Sequence, residues 1–73
     1  MKSTAVESNS LATVAYDAER QALQIEFRDN TVYRYFGVPA DVYQCLLLAP
    51  SKGSYFNRAI RNRYAHVRVA SLS

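Results

Sequence analysis

Between Leu11 and Phe36 apolar and polar side chains alternate, and at Gly37-Val38-Pro39 that two-residue period gives way to one of three to four residues. A two-residue period suits a strand with one buried face, and the longer period suits a helix with one buried stripe. The change confines the chain to a sheet followed by helices. Leu11 to Asp17 places Ala12, Val14 and Tyr16 on one face, and Ala22 to Phe27 places Leu23, Ile25 and Phe27 opposite Gln24, Glu26 and Arg28. Val32 to Phe36 follows a turn around Asp29 and Asn30 and completes a three-stranded antiparallel meander.

Pro39 fits the first turn of a helix, where its missing N–H costs nothing, and Asp41 beside it suits the positive end of the helix dipole. The spacing of Val42, Cys45, Leu46 and Ala49 predicts a helix from about Pro39 to Leu48 with that stripe on the sheet, ended by Pro50. Ser51 is placed to cap a second helix whose buried stripe is Tyr55, Phe56, Ala59, Ile60 and Tyr64, leaving Asn57, Arg58, Arg61 and Asn62 in water. Ala65 to Val69 reads as a short edge strand or a docked extended tail. The Ser-rich residues 1–9 lack periodicity and read as a disordered arm, so residues 10–70 form the expected single domain. The expected class is α+β, a meander packed on one face by two helices.

A chain of 73 residues, 49% apolar, buries only about 60% of its unfolded surface. A closed ligand cavity of about 300 Å³ or more would consume much of such a core, which argues against an elaborate enzyme. Cys45 has no second Cys for a disulfide, and His66 is the one imidazole, so neither a metal nor another cofactor is expected. The first ten residues lack a signal-like apolar run, and Cys45–Ala49 is too short to span a bilayer; a cytoplasmic protein without a membrane partner is expected.

Charge is divided along the chain. Residues 1–41 carry four basic and six acidic side chains, a net of −2, whereas residues 42–73 carry Lys52, Arg58, Arg61, Arg63 and Arg68 with no acidic side chain, a net of +5. Such a segment attracts phosphates by Coulomb force and counterion release.

The turn before Val32 decides which way Tyr33 and Tyr35 point. With a two-residue loop of Asp29 and Asn30, Ile25 pairs with Arg34, which drives Arg34 into the core face and exposes both tyrosines. With a three-residue loop of Arg28, Asp29 and a left-handed Asn30, Phe27 pairs with Thr31, Ile25 with Tyr33 and Leu23 with Tyr35. The second is favoured, because an unpaired guanidinium under the helices is costly while Asn tolerates the left-handed conformation.

These segments carry a family resemblance. Leu11 with Val14, Tyr16 and Asp17; Leu23, Ile25 and Phe27; Tyr33-x-Tyr35; Val38-Pro39; and Ala49-x-Ser51-x-Gly53-x-Tyr55-Phe56-Asn57 followed by Ile60-Arg61 make the chain similar to the KTSC family over about Ser8 to Val69. That family is named for a domain at the C-terminus of some lysyl-tRNA synthetases and also occurs as small free-standing bacterial proteins. It usually has Gly where this chain has Asn30. The resemblance implies no established activity, and RNA binding through attachment to a tRNA-charging enzyme; a fused domain can equally serve protein contacts.

Lys52, Arg58, Arg61, Arg63 and Arg68 are the expected nucleic-acid contacts, since guanidinium groups match phosphate oxygens and neighbouring aromatics can stack bases. The plainer reading is a solvated helix face. Ser51, Gly53 and Ser54, with Lys52, could hold a phosphate, although a helix cap with a small residue for close packing suits them better. Tyr33 and Tyr35 are expected in the core rather than as stacking residues, and Val32, Phe36 and Arg34 on the other face could form a small sticky patch. Cys45 with His66 is the one conceivable catalytic dyad, and Asp17, Glu19, Glu26 and Asp29 form no paired-carboxylate site. The expected function is thus a non-catalytic RNA-binding module, with protein interaction or self-association as the alternative.

Overall fold

The computed structural model describes residues 3–6 and 8–69. Five antiparallel strands form one sheet in the order β1 (Ser3–Ala5), β2 (Leu11–Asp17), β3 (Ala22–Phe27), β4 (Val32–Tyr35) and β5 (His66–Val69), with α1 (Ala40–Leu48) and α2 (Lys52–Ala59) between β4 and β5 in the chain. The three expected strands are present, but the sheet has five rather than three.

The arm supplies one addition. Ser3 pairs with Ala15, Thr4 with Val14 and Ala5 with Thr13. Arg28 secures this segment, donating from Nε to the Ser8 carbonyl at 3.1 Å and from Nη2 to the Val6 carbonyl at 3.4 Å. Backbone pairing on the free edge of β2, with Val6 packed against the core, drives the strand. Its three side chains are exposed and so leave no periodic signature. Met1, Lys2 and Glu7 of the expected arm, and Ala70 at the expected domain end, lie outside the described residues.

β5 is the second addition, and it is the edge strand among the two readings of the tail: Val32 pairs with Val69, Tyr33 with Arg68, Arg34 with Val67 and Tyr35 with His66. The β3–β4 turn is the three-residue form. Ile25 pairs with Tyr33 and Leu23 with Tyr35; Asn30 is left-handed at φ 70°, and the Phe27 N–H donates to the Thr31 carbonyl at 2.9 Å. Arg34 accordingly lies on the face away from the helices, donating from Nε and Nη2 to Gln24 Oε1 at 3.2 and 2.7 Å.

One face assignment in β2 is corrected by a bulge. Leu11 pairs with Phe27 and Thr13 already with Glu26, so Ala12 is the extra residue and the alternation flips across it. Leu11, not Ala12, joins Val14 in the core. The core fills the space between sheet and helices with Leu11, Val14, Leu23, Ile25 and Tyr35 from strands, Val38 from the connection, and Leu46, Phe56 and Ile60 from the helical segment.

Pro39 precedes α1 as its N-cap instead of opening its first turn. The stripe of α1 is also rotated from the expected one: Leu46 is buried, Val42, Tyr43 and Leu47 pack around it, and Cys45 is exposed. Tyr43 accounts for the rotation, because its ring stacks on Tyr16 at 4.8 Å between centroids and 12° between planes. In α2, Ser51 is the N-cap, its Oγ accepting from the Ser54 N–H at 3.4 Å. Phe56 and Ile60 are buried, with Tyr55, Ala59 and Tyr64 packed at the margin.

Candidate functional site

Residues paired across an antiparallel ladder share a face, so the pairing of Tyr35 with His66 and Tyr33 with Arg68 places all four on the helix-covered face. α2 lies along this face without covering it fully. The result is an open groove of about 600 Å³, floored by Phe27, Tyr33, Tyr35 and Phe56 and walled by Asn57 and Arg61 of the α2 segment.

The aromatic groups are ordered against one another. Tyr33 meets Phe27 edge-on with centroids 5.9 Å apart, and Tyr35 meets Phe56 edge-on at 5.4 Å. The His66 ring lies 5.1 Å from Tyr35, tilted by 31°, and 5.9 Å from Tyr33. Tyr35 is buried, Tyr33 half-buried and His66 exposed. The expectation of Tyr33 and Tyr35 as packed residues therefore describes their backs, while their rings also line the groove.

Asp29 and Arg61 both line the groove, and the Arg68 charge acts on Asp29. At the hairpin, the Thr31 hydroxyl donates to Asp29 Oδ1 at 2.6 Å and the Thr31 N–H donates to the same oxygen at 3.1 Å, which holds the Asp29 carboxyl below its ordinary pKa. Burial raises the Tyr35 phenol above its ordinary pKa, and the neighbouring Arg61 charge partly opposes it.

The five expected phosphate contacts are spread around α2 and β5. Arg61 lines the groove and Nη1 donates to Asn57 Oδ1 at 3.5 Å. Arg68 stands beside Tyr33 across the ladder. Arg58 lies over the Tyr55 ring at 5.7 Å, and Arg63 Nε donates to the Arg58 carbonyl at 3.4 Å, which groups these two by the outer side of α2. Lys52, at the other end of the helix, donates from Nζ to the Ala49 carbonyl at 3.1 Å. Among the described residues one salt bridge forms, Arg20 to Asp17 at 3.2 Å, and it involves none of the five.

Ser51 and Ser54 are joined by a hydroxyl–hydroxyl bond of 3.0 Å as well as by the cap. A Cβ on Gly53 would lie 3.3 Å from Ser10 Oγ, so this residue admits the close approach of α2 to the start of β2. On the opposite sheet face Val32 is buried, and the exposed apolar groups are Phe36 and Val67. Cys45 sits on α1 beside Tyr55, whose phenol is raised by burial and by that thiol, whereas His66 packs on Tyr35; the two share no hydrogen bond among the described residues. No cluster of three or more His, Cys, Asp or Glu able to hold a metal occurs among the described residues, and no helix is long and apolar enough to cross a membrane.

Sequence reasoning missed the groove and, with it, the place of His66, Asn57 and Asn62. One signal was available: Tyr33, Tyr35, Gly53, Phe56, Asn57 and Arg61, all positions of the shared motif, line this single feature. His66 could be added only with the β4–β5 register in hand.

Comparison with known proteins agrees with this motif. The KTSC domain family model matches residues 7–64. An uncharacterized protein of Stutzerimonas stutzeri is 42% identical over 70 residues, covering 94% of this chain and 99% of its own length. A lysine–tRNA ligase of Nostoc punctiforme is 40% identical over 58 residues, covering 80% of this chain, which spans only 10% of the ligase. The crystal structure of a KTSC domain protein from Yersinia pestis superposes with a TM-score of 0.92 at 29% identity, covering 94% of this chain and 97% of that one. With the family model matching most of its length and a small relative 42% identical over nearly the whole of both chains, the chain belongs to the KTSC domain family.

Proposed function

We propose that the protein is a non-catalytic RNA-binding module that holds single-stranded RNA along α2 and β5, with Lys52, Arg58, Arg61, Arg63 and Arg68 as phosphate contacts. The observation that carries this reading is the position of Arg61 and Arg68 beside an aromatic groove, with neither in an ion pair among the described residues. Unpaired guanidinium groups retain their donors for phosphate, and nearby rings offer faces to bases. Similarity to a segment of a lysine–tRNA ligase, whose name refers to an RNA, supports the same reading.

Anisotropy of a labelled single-stranded RNA across a salt series tests it. For five phosphate contacts on a single strand, log affinity falls with log salt at a slope of about −3.5, and combined Arg58→Ala and Arg61→Ala flattens it by about 1.4. Absence of binding at low salt, or binding insensitive to both substitutions, overturns the reading.

A second reading, self-association, is favoured by the outer edge of β5, unpaired among the described residues, where Val67 is 50% exposed, and by Phe36, 42% exposed on the face away from the helices. It requires concentration-dependent association by sedimentation that persists in high salt. A monomer at high concentration removes it.

A further inference from the structure

The groove has more chemical definition than phosphate tracking requires. Cations spread over α2 and β5 would attract any nucleic-acid backbone without a recess between them. Here the recess is lined by aromatic groups, by the amides of Asn57 and Asn62, by the Asp29 carboxylate and by the Arg61 guanidinium. Its volume of about 600 Å³ falls within the range of small-ligand sites, about 300 to 1,000 Å³.

We infer that the groove is a pocket for one unstacked nucleotide, its base lying against Tyr33 and His66 and its phosphate turned toward Arg61. This rests on the RNA reading and assigns the point at which a base, rather than the backbone alone, is held. Three observations lead there. His66 is exposed and its ring packs near both tyrosines, so a planar base can extend the aromatic group without displacing the core. Arg61 spends one long hydrogen bond on Asn57, at 3.5 Å, and keeps its other donors for an anion. Asp29 also lines the groove, its Oδ1 already accepting from the Thr31 hydroxyl and N–H and the Arg68 charge acting on it, so Arg61 is the cation lining the groove that is left to meet a phosphate.

Stacking on an exposed ring requires a base with a free face. The pocket therefore selects single strands over duplex, in which both base faces are covered by neighbours. Asn57 and Asn62 are the amides placed to meet base edges or the ribose.

The test uses adenosine 5′-monophosphate as probe, followed by amide chemical shifts of the full chain, alongside anisotropy with a single-stranded RNA and its duplex. The nucleotide is expected to move the amides of Tyr33, Tyr35, Asn57, Arg61 and His66. His66→Ala, which alters an exposed side chain, should weaken single-strand binding roughly tenfold, in line with the loss of one base stack. Tyr33→Phe retains the ring and should bind nearly as the natural protein does, whereas Tyr33→Leu should not.

If RNA binds with the expected salt slope while the nucleotide shifts only amides around Arg58 and Arg63, or if His66→Ala and Tyr33→Leu leave affinity unchanged, the pocket is overturned and the backbone-contact reading stands. If the nucleotide binds the groove but no RNA binds, the pocket stands and the RNA reading falls. If neither ligand binds, both fall.

Discussion

At the β2 end of the helix-covered face, Tyr16 lies flat on Tyr43 of α1 and donates its hydroxyl to the Val38 carbonyl at 2.6 Å. At the β4 end, Tyr33 meets Phe27 and Tyr35 meets Phe56 edge-on, and both tyrosines border the groove. The residue type and the sheet face are the same; the helical cover differs. α1 brings Tyr43, Leu46 and Leu47 onto the face and fills it. α2 brings Phe56 and Ile60 to the core but sets Asn57 and Arg61 at the margin, and these polar groups cannot close an apolar seam. A tyrosine in this protein is thus a structural group or a candidate ligand contact according to which helix faces it.

Substitutions on the two sides should separate stability from binding. The largest effect is expected at the filled end: Leu46→Ala empties a fully buried site and should cost about 3 kcal/mol in urea unfolding. For a domain of this size that is a large share of the total. At the open end, Arg61→Ala should leave the unfolding midpoint nearly unchanged and flatten the RNA salt slope by about 0.7, the value for one contact on a single strand. If Arg61→Ala destabilises as strongly as Leu46→Ala, the contrast between the two ends fails.

Smaller effects sharpen it. Tyr16→Phe removes the donor to the Val38 carbonyl and should cost about 1 kcal/mol, while Tyr33→Phe, whose hydroxyl donates no hydrogen bond to a described residue, should cost less in the same assay. Equal losses would show that the open-end tyrosine is held as firmly as the closed one.

The smallest expected change concerns acid. The folded-state pKa of Asp29 lies below its unfolded value, chiefly through the Thr31 hydroxyl and then the Thr31 N–H. These bonds stabilise the fold above the ordinary carboxylate pKa, and the contribution fades as pH falls through the lowered value. Thr31→Val should return the Asp29 pKa upward in a carboxyl NMR titration and reduce the acid dependence of stability. An unmoved titration would show that the hydroxyl bond does not govern this end of the groove.

Much of this arrangement could be read before the fold was known. The limits of β2 and β3, the left-handed Asn30 and the outward Arg34 follow from alternation and from the cost of burying a guanidinium. The Ser51 cap and the Phe56–Ile60 stripe follow from short-range spacing. The bulge at Ala12 was not legible, because an inserted residue leaves composition and local propensity unchanged. β1 was hidden because backbone pairing, not side-chain pattern, holds it. The rotation of α1 was hidden because the partner of Tyr43 is Tyr16, 27 positions earlier.

Local chemistry along the chain settled the periods, the turn and the concentration of positive charge after Asp41, since each depends on residues a few positions apart. The groove belongs to the assembled fold alone. Tyr33 and His66 lie more than thirty positions apart in the chain and meet only because β5 returns to pair with β4 after both helices. Whether their rings are packed away or left beside a recess depends on how much of the sheet α2 covers, and that follows from long-range packing.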